Sequence, residues 1–248
     1  MTMSSGAAAE GARLTGIPAS HPVLAVQLML QFKGIAHVRR DLPNQLHKLV
    51  LPLLGYSERT VPVLRIDGRR VQGSMRIARV LEDLVPEPAL FPSDPTERQQ
   101  VEELEMWADA DLQDTVRTLA QWAAKRDSAA LAPIAVASDI PVSPRLLAAA
   151  MPVFSPLVLA TIRISRDRAR RALEKLPASL DRVDAAIGEG VVGGERRNAA
   201  DFQLAACIRL AGLIDELQPL LDGRPAMTLA HQIAPVYPGR FTTPLGLS

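Results

Sequence analysis

Three short runs in this 248-residue chain bring together residues that could hold an anion. The first is Pro18-Ala19-Ser20-His21-Pro22, just where a helix is expected to begin. A hydroxyl at a helix start can donate to an anion, and the helix dipole adds to the attraction. Such a place also lowers a thiol's pKa from its usual value of about 8.5. The plain alternative is a serine that only caps the helix. The second run is Thr60-Val61-Pro62-Val63-Leu64. A proline ahead of an apolar strand belongs at a strand start or an edge. If the Val61–Pro62 bond is cis, the backbone of Val61 turns outward and can pair with an extended peptide as an added strand would. The third is Gln72-Gly73-Ser74, read with Ser74 as the N-cap of a helix whose free N–H groups suit a carboxylate or phosphate. Capping alone is again the alternative reading.

The elements that must position these runs are legible from periodicity. Arg13–Gly16 reads as a strand and His21–Lys33 as a helix that is apolar nearly all round, with Pro22 in its first turn and Gly34 beyond its end. Ala36–Asp41 reads as a strand, Asn44–Leu54 as a short helix and Val61–Ile66 as a strand. Asp67-Gly68 turns that strand into a hairpin with Arg70–Gln72, and Met75–Val85 is helical. The order is α/β. From Pro86 to Pro95 the chain is proline-rich, and beyond it strand signals vanish. Helices are expected over Thr96–Lys125, Ala160–Ile187 and Asn198–Glu216, and an irregular tail from Asp222 onward.

Composition narrows the function. Basic and acidic residues nearly balance, 28 against 27, which argues against a general nucleic-acid binder. The one cysteine, Cys207, excludes an internal disulfide and reads as a small core residue. His21, His37, His47 and His231 have no zinc-type spacing, so no metal is expected. The small, polar N-terminus does not read as a signal peptide, and a cytoplasmic location is expected. The 17 residues from Leu146 to Ile162 carry no charge but are interrupted by Pro152 and Pro156. They read as a buried, kinked bundle helix rather than a membrane span; a membrane-associated protein is the remoter alternative.

Taken together, the order and spacing of these runs resemble the glutathione S-transferase family, in its serine- and cysteine-type classes and as a divergent bacterial member. The resemblance spans nearly the whole chain. Ile17-Pro18-Ala19-Ser20, followed after twelve residues by Lys33-Gly34-Ile35, looks like the family's first strand, active-site loop and helix. Thr60–Leu64, Asp67-Gly68 and Ser74-Met75-Arg76-Ile77 look like its thiol-peptide-binding half. Leu90–Pro95 with Arg98 looks like the start of its helical domain, and Asn198-Ala199-Ala200-Asp201-Phe202 is similar to its late capping box.

The fold this implies is α/β plus all-α: an N-terminal thioredoxin-like domain followed by an all-helical glutathione-transferase C-terminal domain. The boundaries expected are a disordered leader at 1–11, the thiol-binding domain at 12–87, the helical domain at 92–222 and an irregular tail at 223–248. The resemblance implies a transferase that joins glutathione, as co-substrate, to a small apolar electrophile, in a detoxifying homodimer. Ser20 would hydrogen-bond the thiolate, and Val61, before Pro62, would pair with the backbone of the glutathione cysteine. Ser74 would hold the γ-glutamyl carboxylate and Lys48 the glycyl carboxylate, with Ala19, His21 and Gly73 completing the thiol-peptide site. Trp107 and Asp111, one helical turn apart, are expected to face the second substrate, although Trp107 also reads as core packing; Phe154 and Arg163 are further candidates. Tyr237 and Phe241 either fold over the cleft or belong to a disordered tail.

The chain departs from the family pattern at Gly73, where Glu or Gln is usual, and at Ala25-Val26-Gln27, where many relatives have Arg-Val-Arg. His21-Pro22 replaces a proline–aromatic pair. These departures leave open another thiol such as mycothiol, and a non-catalytic relative that binds a ligand or a partner protein.

Overall fold

The computed structural model describes residues 11–247. The leader expected at 1–11 therefore lies outside the described residues, apart from Gly11.

The N-terminal unit follows the expected order: β1 (Ala12–Gly16), α1 (His21–Phe32), β2 (His37–Asp41), α2 (His47–Leu53), β3 (Val63–Ile66), β4 (Arg69–Gln72) and α3 (Ser74–Leu84). The sheet runs β2-β1-β3-β4. β1 and β2 are parallel, as a helical crossover requires, while β3 is antiparallel to both β1 and β4. This is the thioredoxin-like half of the expected fold. α1 is apolar nearly all round because α3 packs on it within this unit and α9 (Ala199–Ala211) packs on it from the helical half. It also lies very close to β1: a Cβ on Gly16 would come within 2.5 Å of a Val23 methyl. Gly34, at φ +66°, ends the helix as expected.

The two halves are joined through a buried cation. Lys33, 5% exposed, follows α1 and reaches the linker. Its Nζ stands 2.5 Å from a Glu82 carboxylate oxygen and donates to the carbonyls of Val85 (2.5 Å), Pro88 (2.9 Å) and Pro86 (3.3 Å). Glu82 in turn accepts from the N–H groups of Leu90 (2.8 Å) and Phe91 (3.2 Å). One ion pair thus satisfies five backbone groups in and beside the linker.

The second half is all helical. The single long helix expected over Thr96–Lys125 is α4 (Pro95–Trp107), a π-helical turn (Ala108–Leu112) and α5 (Gln113–Arg126), wound without a break. Then come α6 (Leu131–Val136), α7 (Pro144–Ala160), α8 (Arg166–Gly188), α9, the short α10 (Gln218–Leu221) and α11 (Pro225–Ile233). α9 is buried along its whole length, with α1, α4, α5 and α11 packed around it. Its start is the capping box expected at Asn198: Asn198 Oδ1 accepts from the N–H of Ala200 and Asp201, and Asp201 accepts from the N–H of Asn198. Cys207, on α9, is buried as expected.

Two expectations are corrected. The segment at 223–248 is not an irregular tail throughout. It forms α11, and the chain then folds back so that Phe241, Leu245 and Leu247 are buried; Phe241 N–H donates to the Leu213 carbonyl at 2.7 Å. Apolar residues spaced among Gly and Pro can be covered by the bundle without a regular element of their own. The charge-free stretch is not a buried bundle helix: of α7 only Ser155 is buried, and the helix that follows starts at Arg166 rather than Ala160.

Candidate functional site

Strand register brings the three chemistry-bearing runs to one end of the sheet. Thr15 of β1 pairs with Val63 of β3, and Val63 with Gln72 of β4. The next residues along each chain path are Ile17–Ser20, Pro62-Val61 and Gly73-Ser74. The Gly73 N–H donates to the Pro62 carbonyl at 3.0 Å, which ties the second run to the third. The Val61–Pro62 bond is cis. The neutral Gln72 side chain holds the loop before it, donating to the carbonyls of Glu58 and Thr60 (both 2.8 Å) and accepting from the Glu58 N–H (3.1 Å). In the sequence Gln72 ends a strand and opens the third run, with no role of its own assigned.

Both helices that begin here have open starts. Ser20 is the N-cap of α1, yet its hydroxyl makes no capping bond, and no acidic residue lies in the first turn. α3 starts at Ser74, so its N-cap is Gly73 and not Ser74 as the sequence suggested. Glycine has no side chain to cap with, and again the first turn holds no acidic residue. Gly73 sits at φ +91°, ψ 135°, a conformation that a residue with a Cβ adopts only under strain. The departure from the family's usual Glu or Gln therefore also relieves the backbone. α4, α7, α8 and α9 are capped by Asp94, Ser143, Ser165 and Asn198, whereas α2, α6, α10 and α11 also lack a side-chain cap. The starts of α1 and α3 leave backbone N–H groups directed at the same end of the sheet, a ready site for negative charge.

The remaining thiol-peptide candidates take different positions. Ala19 lies in the loop at φ +54°. Lys48 is exposed on α2 and makes no ion pair among the described residues. The His21 ring is not at the surface; it is 3% exposed, and its Nε2 has no partner among the described residues. Burial, helped by the nearby Arg117 charge, pushes its pKa down to about 3, so the ring is neutral.

The helical half meets this region along one face of α4, the π turn and α5. Ser74 Oγ donates to Asp109 Oδ1 at 3.3 Å, and Gln113 Nε2 donates to the same oxygen at 3.0 Å. One turn earlier, buried Glu105 pairs with Arg79 of α3. Desolvation nevertheless pushes the Glu105 pKa up to about 7, against the pull of the guanidinium. Trp107 and Asp111, expected to face a second substrate, do not join this face. The Arg182 guanidinium stacks 4.3 Å above the Trp107 ring, and Asp111 pairs with Lys175, so both look toward α8. Residues two apart in a helix point to nearly opposite sides, and the face toward α3 belongs to Glu105, Asp109 and Gln113. Their i, i+4, i+8 spacing was the available signal. Phe154 and Arg163 are exposed at α7 and after it.

A cleft of about 240 Å³ opens beside the Ser20 loop at Ala19 and runs along Leu24, Gln27 and Gln31 of α1 to Arg39, Asp139 and Tyr237. Arg39 forms its wall, pairing with Asp41 (2.9 Å) and Asp139 (3.5 Å) and donating to Gln27 Oε1 (2.8 Å). Tyr237 lines this cleft, while Phe241 is core. Among the described residues no group of three or more His, Cys, Asp or Glu is gathered to hold a metal ion.

Comparison with known proteins agrees with this geometry. Residues 14–89 match the family model for the glutathione S-transferase N-terminal domain. No curated protein sequence matches the chain. Among solved structures, glutathione transferase F2 from Populus trichocarpa superposes with a TM-score of 0.59 at 16% identity, over 89% of this chain and 91% of that one. A β-etherase from Sphingobium gives 0.57 at 18% identity, over 89% and 98%. A maleylacetoacetate isomerase from Anaeromyxobacter dehalogenans, solved with dicarboxyethyl glutathione and citrate in its active site, gives 0.52 at 23%, over 90% and 85%. At these identities the likeness establishes the fold.

Proposed function

We propose that this chain, whose residues 14–89 match the family model for the glutathione S-transferase N-terminal domain, binds glutathione or another low-molecular-weight thiol and presents the thiolate to a small electrophile. The observation that carries this reading is the pair of uncapped helix starts, at Ser20 and at Gly73-Ser74, on either side of the cis-proline turn.

In this reading the Ser20 hydroxyl donates to the thiol sulfur once its proton has left, and the α1 dipole adds to the stabilisation. Lowering a thiol pKa from about 8.5 by two units raises the thiolate fraction at neutral pH more than tenfold. The N–H and C=O of Val61 pair with the backbone of the thiol's cysteine as an added strand. The N–H groups at the start of α3 receive a carboxylate, the Ser74 hydroxyl turning from Asp109 to donate to it, and Lys48 supplies a positive charge at the far end of the peptide. The sulfur then attacks the electrophilic carbon to form a C–S bond, while a leaving group such as halide departs with its bonding pair and the thiol proton goes to solvent; the protein contributes pKa lowering and positioning. The cleft that opens at Ala19 offers the electrophile an approach between Leu24 of α1 and Tyr237.

The second reading, a relative that binds without catalysing, is favoured by Ser74, which is 3% exposed and already bonded to Asp109. One set of measurements separates the two: thermal shift with glutathione, with mycothiol and with buffer, then turnover of a generic aryl halide by the chain and by Ser20→Ala. Stabilisation with turnover that falls in Ser20→Ala supports the transferase. Stabilisation without turnover supports the binding protein. No stabilisation by either thiol removes both thiol readings.

A further inference from the structure

α7 is apolar on every side, yet the protein covers only one narrow strip of it. Its inward contacts are with α6 and the short helical turn at Ser128–Ala130. Outward, Leu146 (62% exposed), Val153 (67%), Phe154 (58%) and Leu157 (61%) stand in solvent, and Val142 lies exposed just before the helix. A helix hydrophobic all round is ordinarily enclosed, and an exposed patch of this kind marks a contact surface.

Within the stretch itself, which Asp139 and Asp167 bound, the charges all have one sign. From residue 140 to residue 166 there is no Asp or Glu, while Arg145, Arg163 and Arg166 flank the apolar stretch at its two ends. Arg145 and Arg163 are exposed and form no ion pair among the described residues, and Arg171 stands likewise one turn into α8. An apolar face bracketed by unpaired arginines complements a surface that is apolar within and negative at its boundary.

We propose that α7 is a peripheral docking element for an anionic lipid bilayer, lying in the interface with Phe154 and Leu157 inserted and Arg145 and Arg163 at the phosphates. It lies on the membrane and does not span it. Its 17 residues extend about 26 Å, short of the roughly 30 Å hydrocarbon core. Pro152 and Pro156 also leave backbone carbonyls without helical donors, which water satisfies at an interface and hydrocarbon does not. Among the described residues no helix is long and apolar enough to cross a membrane.

The test is flotation of the full chain with phosphatidylcholine vesicles, with and without phosphatidylserine. The protein is expected to float with the phosphatidylserine vesicles, less so as salt rises. Phe154→Asp/Leu157→Asp should reduce partitioning by more than about tenfold with an unchanged thermal midpoint, because insertion of two large apolar side chains is lost. Arg145→Gln/Arg163→Gln should weaken binding to the anionic vesicles alone. As an independent readout, the added fluorescence of Phe154→Trp should shift to the blue on mixing. Failure to float, or equal flotation of the aspartate variant, overturns the proposal. So does a sedimenting dimer that the aspartate variant dissociates without any vesicle, which would assign the face to a second copy of the chain.

Discussion

Ser74 Oγ donates to Asp109 Oδ1 across 3.3 Å, so the first residue of α3 is bonded to the π turn between α4 and α5. This contact joins the sheet-bearing half to the helical half at the proposed carboxylate subsite. A hydrogen bond to a charged acceptor contributes about 1.5–3 kcal/mol. Asp109→Ala, which also strips Gln113 Nε2 of its acceptor, is expected to lower unfolding free energy by about that amount in urea titration. It should strengthen binding of a carboxylate-bearing thiol in the same thermal-shift series, because the single Ser74 hydroxyl proton is freed for the ligand and a neighbouring negative charge is removed.

Ser20→Cys turns the proposed thiolate donor into a reporter. At an uncapped helix start the introduced thiol should titrate below the ordinary value of about 8.5. The rate of alkylation by iodoacetamide against pH reads this directly. The native thiol does not interfere, since Cys207 is buried and desolvation pushes its pKa up. An alkylation midpoint at or above about 8.5 would count against an activating environment at residue 20.

Lys33→Met is expected to be among the more damaging single changes. It leaves Glu82 and three linker carbonyls without their cation, and removing one partner of a buried pair costs about 3–5 kcal/mol. The denaturation midpoint should fall accordingly. Phe91, packed at the start of the helical half, should lose protection from hydrogen exchange at its N–H, which Glu82 now accepts.

His21 and Glu105 give stability opposite slopes with pH. The folded His21 pKa, about 3, is below its ordinary 6.5, so the unfolded chain binds more protons between those values. Its contribution is complete above about pH 6.5 and is lost as pH falls toward 3. The folded Glu105 pKa, about 7, is above its ordinary 4.5. Its contribution is complete below about pH 4.5 and is lost as pH rises through 7. His21→Leu should flatten the acid side of a stability–pH curve, and Glu105→Gln should remove the decline between about 4.5 and 7.

Features set by near neighbours in the chain were readable in the sequence. Asn198 and Asp201 cap α9 because a carboxylate three residues on reaches back to the same turn. Gly34 ends α1, Asp67-Gly68 turns β3 into β4, and the alternating strand and helix signals specify the thioredoxin-like half. Register then follows from which strand faces are apolar, and it carries Ser20, Val61 and Ser74 to one end of the sheet. What periodicity could not decide was which polar face of a helix meets which neighbour. α4 and α5 are flanked by α8 on one side and by α3 and α9 on another. Trp107 with Asp111 and Glu105 with Asp109 therefore offered equally good patterns, and only packing turned the second pair toward α3. The same holds for α7, whose composition reads as core while the fold leaves it on the surface. It holds also for Lys33, whose partners lie about fifty residues away. A side chain's type and spacing are local properties of the chain, but its partner is chosen by the shape of the whole.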